Sequence, residues 1–440
     1  MMNYTKSSSF SNRMKSLLMM LVIMSMSSVF TVNAVAADKE KGKGKSKTKV
    51  TVAMSQKVYE SLQKAQDLLN TKDYVGALAA VEKIRAGKKG KKLSSYEVAQ
   101  TWNLQAYLYY LQEQYPESIH AYENVIKQAD LPEALTQSSL KTISQLYFTT
   151  EEYGKALETV KRLIATLEEP AADVYMLMGQ AYFQMEDYKS ALTPIQKAIT
   201  MYKTQGNKPK ENWLLLLRVI YHKMEDYPKM LNTLEELLAL YPKDQYLKTM
   251  AGVYSELGNT QKQLTIMESL YEKGLVERSS QIVNIANLYM MHGVPIKAAE
   301  MLDKEINNTK RVEGKSRNYR LLSQAWYMAR EDEKSIPPMA KAAKMSQEGE
   351  LFLRLAQSHL NLDHYDDAAK AIYKALELGG LKRSDTANIM LGMALFNQVK
   401  LKGARKAFVN ASKDKRSRKV AQQWIAYVDS ELERAKALDL

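Results

Sequence analysis

The chain has 440 residues, 45% of them apolar, and no cysteine, which excludes disulfides, thiolate metal sites, a cysteine nucleophile and a lipid-modified N-terminal cysteine. Its formal charge is +14, but Lys6, Arg13 and Lys15 precede the first acidic residue, Asp38, and much of the remaining excess sits in two runs, 39–49 and 413–419. Such runs read as solvated segments or as docking patches for an acidic partner, and no nucleic-acid partner is expected.

Residues 1–36 have the form of a secretory signal: a polar start with three cations, a short apolar stretch over 17–26, and Ala34-Val35-Ala36 before Ala37. The apolar stretch is too short and too serine-rich to span a bilayer comfortably, so cleavage after Ala36 is expected, leaving no stable membrane span. In a bacterium the mature chain would then lie in the periplasm. Residues 37–53 carry lysine at every second position from Lys39 to Lys49, and self-repulsion predicts a disordered basic arm. Gly44-Lys45-Ser46 imitates the end of a phosphate-binding loop, but Lys39 stands where the motif needs glycine.

Over 54–413 one pattern recurs. In 174–199, Tyr175, Met178, Gly179 and Tyr182 mark an apolar stripe on one helix, and Ala191, Ile195 and Ala198 mark a second stripe of smaller residues after a turn. Aligned on the residue that opens each second helix, the units begin it at Tyr74, Tyr115, Tyr153, Tyr188, Tyr227, Thr260, Pro295, Asp332, Tyr365 and Leu401, at intervals between 33 and 41 residues. Pro116, Pro228 and Pro295 fall at the expected helix starts, where a missing amide proton costs nothing. Pro194 and Pro337-Pro338 fall deeper and predict kinked or late-starting helices. Extra length is confined to polar, basic turns at 86–95, 202–212 and 309–318, outside the expected core. Residues 414–440 are expected to form a basic turn and a helix over about 420–437 that covers the end of the array with Trp424, Ile425, Val428 and Leu432.

A period just above 34 residues with this spacing resembles the tetratricopeptide repeat. The resemblance implies an all-α, right-handed superhelical solenoid of about ten hairpins, with first helices lining a concave face. Side chains one place off the core stripe would project there: Tyr107 and Tyr110, Gln145 and Phe148, Gln180 and Phe183, Asn284 and Asn287, then Arg320, Gln324, Tyr327, Arg354 and Gln357. An amide recurs two residues before the first-helix ring in several units, and amides pair well with an extended peptide backbone. The lysine and asparagine clamp that some family members use for a terminal carboxylate is not matched, since Lys141 is followed by Gln145.

Catalysis is not expected, nor is a cofactor or metal. The sequence has no G-x-S-x-G and no H-E-x-x-H, and Asp363, His364, Asp366 and Asp367 read as a helix-capping turn in preference to a metal site. The whole layout resembles the tetratricopeptide proteins associated with TonB-type energy-transduction systems of gammaproteobacteria, which implies protein partners in the cell envelope within a TonB, ExbB and ExbD complex. A module binding peptidoglycan or exported polysaccharide is the alternative.

Overall fold

The computed structural model describes residues 54–87 and 92–437. The expected signal and basic arm lie outside the described residues, as does the middle of the first long turn. All regular structure among the described residues is helical, in two compact units that divide between Leu240 and Tyr241. The first unit contains α1 (Gln56–Asn70), α2 (Tyr74–Ala86), α3 (Ser95–Leu111), α4 (Tyr115–Ile126), α5 (Glu133–Thr149), α6 (Tyr153–Ala165), α7 (Ala172–Gln184), α8 (Tyr188–Thr204), α9 (Glu211–Lys223) and α10 (Tyr227–Leu240). The second contains α11 (Asp244–Glu256), α12 (Thr260–Glu272), α13 (Ser279–Met291), α14 (Pro295–Asp303), α15 (Ser316–Met328), α16 (Asp332–Ser346), α17 (Gly349–Asn361), α18 (Tyr365–Leu378), α19 (Ser384–Asn397), α20 (Leu401–Ser412) and α21 (Arg418–Ala437). Each residue aligned above as the opening of a second helix is the first residue of one. Within each unit, every second helix packs on its own first helix and on the next.

The register is set locally by the turn. Two residues before each second helix the backbone is left-handed, at Lys72, Glu113, Glu151, Glu186, Glu225, Gly258, Gly293, Arg330, Asp363 and Val399, with φ between +56° and +72°. This lets the next amide reach back to the first helix: Asp187 N donates to Tyr182 O at 2.9 Å, Asn259 N to Tyr254 O at 2.8 Å, and Glu331 N to Trp326 O at 3.0 Å. These are the long bonds of a Schellman closure, which satisfy carbonyls the helix end leaves open. The following residue caps the second helix where it is Asp or Asn, as Asp73 accepts from Gly76 N at 2.8 Å and Asn259 from Lys262 N at 3.1 Å.

Small residues then let the two helices approach. A Cβ at Gly179 would stand 2.3 Å from Ile195 Cγ1, and one at Gly392 would stand 2.5 Å from Phe408. In other hairpins Ser118 Oγ donates to Ala106 O at 2.8 Å and Ser323 Oγ to Ser335 O at 2.7 Å across the same contact. At the chain's end the Trp424 ring stacks on Phe408 at 5.2 Å, with Val428 buried behind it. α21 thus covers α20.

Of the two forms expected for the deep-proline helices, the late start does not occur: α8 and α16 begin on the aligned residue and run through Pro194 and through Pro337 and Pro338. The turn expected at 202–212 is shorter, since α8 runs to Thr204 and α9 starts at Glu211, and across it Tyr202 meets Trp213 edge-on at 5.1 Å and Lys210 lies 4.9 Å above the Trp213 ring. The turn at 309–318 enters the core. α14 ends after nine residues in a π-turn, Lys304–Asn308, whose Glu305 is 0% exposed.

Glu305 receives Arg311 Nε at 2.6 Å and Nη2 at 2.5 Å, Tyr271 OH at 2.6 Å and Thr309 Oγ1 at 2.6 Å, while Arg311 Nη1 donates to Val276 O at 3.1 Å. Burial by itself would raise this carboxyl, but the donors and the Arg311 charge overcome it and hold it at about 2. Burial and the bond to Glu305 push Tyr271 up to about 12. Val312, in the same turn, is buried.

Candidate protein-binding groove

In the first unit the expected groove residues are rich in rings, and the hairpins use many of them. Tyr107 and Tyr110 stack with centroids 6.4 Å apart and planes 17° from parallel. Tyr110 also leans on Tyr115 at 6.2 Å, Phe148 on Tyr153 at 6.0 Å and Phe183 on Tyr188 at 5.8 Å. Each pair joins the residue five before the second helix to that helix's first residue. Phe148 is only 9% exposed and packs with Ala156, Leu157 and Ala181. It is a core side chain, not a groove one, because Ala181 of the next hairpin packs in its cluster, whereas Tyr110 and Phe183 at the same place stay half-buried. Gln145 and Gln180 are half-buried, and their amides make no hydrogen bond among the described residues. The cation on α5, Lys141, is paired to Asp173 of α7 at 3.0 Å.

In the second unit the corresponding positions are open. Asn284, Asn287, Arg320, Gln324, Tyr327 and Arg354 are exposed, and Gln357 is half-buried. Gln357 Nε2 donates to Asn361 Oδ1 at 2.9 Å, and Asn361 donates on to Asp332 at 3.2 Å, linking neighbouring hairpins. Arg320 and Arg354 form no ion pair among the described residues. Two cations absent from the sequence-derived set share this state: Arg317, one turn before Arg320, and Lys248 on α11. Their signal was available, because 317, 320, 324 and 327 follow the spacing of one helical face.

Other lysines are committed elsewhere. Lys155, Lys229, Lys262, Lys297 and Lys334, each two residues into its second helix, lie 5.6, 5.8, 5.3, 5.6 and 4.8 Å above Tyr147, Tyr221, Tyr254, Tyr289 and Trp326. The constant spacing of eight is readable in the sequence and was missed. Burial first, and then the bond to Glu268, raise the Tyr289 hydroxyl, while Lys297 and Tyr289 hold Glu268 low.

The 363–367 carboxylates are occupied by their own neighbours. Asp363 accepts from Tyr365 OH at 2.5 Å, Asp366 meets Lys400 at 3.4 Å and Asp367 meets Lys370 at 2.9 Å. His359 and His364 stand 5.9 Å apart, and burial pushes His359 down. No group of three or more metal-binding side chains occurs among the described residues, and no described helix is long and apolar enough to cross a membrane.

Residues 172–205 and 353–418 match family models described as tetratricopeptide repeat. These stretches are tetratricopeptide repeats. The first holds the α7–α8 hairpin and the second runs from α17 to the start of α21. No curated protein matches the sequence. Among solved structures, a MamA protein is similar at 17% identity and a TM-score of 0.33, over 40% of this chain and 92% of its own. A tetratricopeptide repeat protein from Parabacteroides merdae ATCC 43184 is similar at 16% identity and a TM-score of 0.34, over 70% of this chain and 100% of its own. Apo RapI is similar at 16% identity and a TM-score of 0.35, over 62% and 99%.

Proposed function

We propose that this chain is a non-catalytic scaffold that holds partner polypeptides on its first-helix face. The observation that carries the reading is the amide row: Gln145, Gln180, Asn287, Gln324 and Gln357 stand eight residues before the second helix of their hairpins. None of the five is fully buried, and an amide both donates and accepts and so suits a peptide backbone.

The proposal places the mature protein in the periplasm, on the strength of the signal-like segment 1–36, as an accessory of a TonB–ExbB–ExbD system serving iron uptake. Affinity capture from envelope extracts tests it. Recovery of the energiser components by the parent chain, and its loss on combined alanine substitution of Gln145, Gln180, Gln324 and Gln357, is expected. Capture that survives those substitutions removes the groove from the reading.

The stacked Tyr107 and Tyr110 favour a second reading, a module for peptidoglycan or exported polysaccharide, because paired rings suit flat sugar faces. Sedimentation with purified cell wall, abolished by Tyr107→Ala, supports that reading against the first.

A further inference from the structure

We propose that the first-helix face of the second unit takes an extended acidic polypeptide segment. The inference rests on the groove reading above and adds the partner's chemistry. Lys248, Arg317, Arg320 and Arg354 are exposed on α11, α15 and α17 and pair with no carboxylate among the described residues. Three acids lie on these helices: Asp244 is paired with Lys273 at 3.0 Å, Glu350 accepts from Lys382 N at 2.7 Å, and Glu256 is exposed. The face therefore carries uncompensated positive charge.

Lys344, Lys402 and Lys406 are also exposed without a paired carboxylate, but they lie on second helices, and many other cations of the unit are committed. Lys262, Lys297 and Lys334 rest on rings, Arg311 is spent on Glu305, and Arg383 and Arg416 converge on buried Asp385 at 2.6 and 3.5 Å. On the first-helix face the free cations share the surface with the free amides Asn284 and Asn287. Guanidinium groups select carboxylates, and amides select peptide groups. On one side of an extended chain, side chains recur about every 7 Å, so a run of acidic residues can present several carboxylates to one face. A nucleic acid would call for stacking platforms, and Tyr327 is the exposed ring on α13, α15 and α17.

Fluorescence anisotropy on the full chain, with a short labelled peptide of alternating Glu and Ala and its Gln-for-Glu isostere, provides the test. The Glu peptide is expected to bind about tenfold tighter, as two or three exposed charge pairs allow. Arg320→Gln with Arg354→Gln should erase that preference at unchanged melting temperature, while Lys334→Gln, whose lysine sits over Trp326, should leave it intact. Equal affinity for the two peptides, a preference that outlives the arginine changes, or equally tight binding of a single-stranded oligonucleotide overturns the inference. If the neutral peptide alone binds and Gln324→Ala with Gln357→Ala releases it, the acidic preference is wrong and the groove reading stands. If neither peptide binds, both fall.

Discussion

The two units repeat one hairpin and present different first-helix faces. In the first, rings lean onto the opening residue of the second helix and Lys141 is neutralised by Asp173 in the next hairpin. In the second, the first helices present Asn284, Asn287, Arg317, Arg320 and Arg354 to solvent. The turns, the close helix contacts and the lysine-on-ring pairs occur in both. The difference teaches that one hairpin core, closed by the same turn, supports first-helix faces of different chemistry.

The largest expected effect bears on how the second unit is closed. Phe408 is fully buried between Gly392 and the Trp424 ring, so Phe408→Ala should cost about 3 to 5 kcal/mol and expose α21 to protease. Hydrogen exchange should rise in α19 to α21 and stay unchanged in α1 to α10; a rise throughout would erase the distinction between units.

A smaller effect separates the units by pH. The Glu305 carboxyl is held at about 2 against an ordinary 4.5. A depressed carboxyl contributes stability above its unfolded value and loses it as pH falls through the window from 4.5 to about 2, here about 3 kcal/mol. Acid should therefore loosen α12, the π-turn and α15 early, and Glu305→Gln should flatten that part of the profile. Chemical denaturation followed by exchange across this pH range reads it.

The smallest effect tests the shared turn. Val399 is β-branched, 78% exposed and left-handed at φ +61°. Val399→Gly should stabilise the second unit by about 1 kcal/mol, seen as a raised denaturation midpoint. Glu186→Gly in the first unit should gain less, because glutamate is not β-branched. Equal gains would show that backbone handedness alone, and not side-chain branching, sets the strain.

Much of the fold was legible because its determinants are local. The residue opening each second helix, most often tyrosine, and the small residues facing it lie within one hairpin, so their spacing reveals the register. Phe148 shows the limit for the site. It stands three residues after Gln145 and shares its helical stripe, yet its ring packs against Tyr153, Ala156 and Ala181. Periodicity gives a direction around the helix axis, while burial depends on what the next hairpin brings. The turn at 309–318 was misread for the same reason: composition marks it as polar, but Val312 is buried and Arg311 finds its partners at Val276, Tyr271 and Glu305.

The sequence by itself determined the helical hairpins, their boundaries and the amide row, because each follows from neighbours a few residues away. Only the tertiary structure decided which charges are free. Arg311 and Arg320 look alike in a basic stretch, and one is locked on a buried carboxylate while the other stands in solvent. That distinction depends on the π-turn at Lys304–Asn308 and on α12, segments that no local pattern ties to an arginine and that packing alone brings within hydrogen-bond reach.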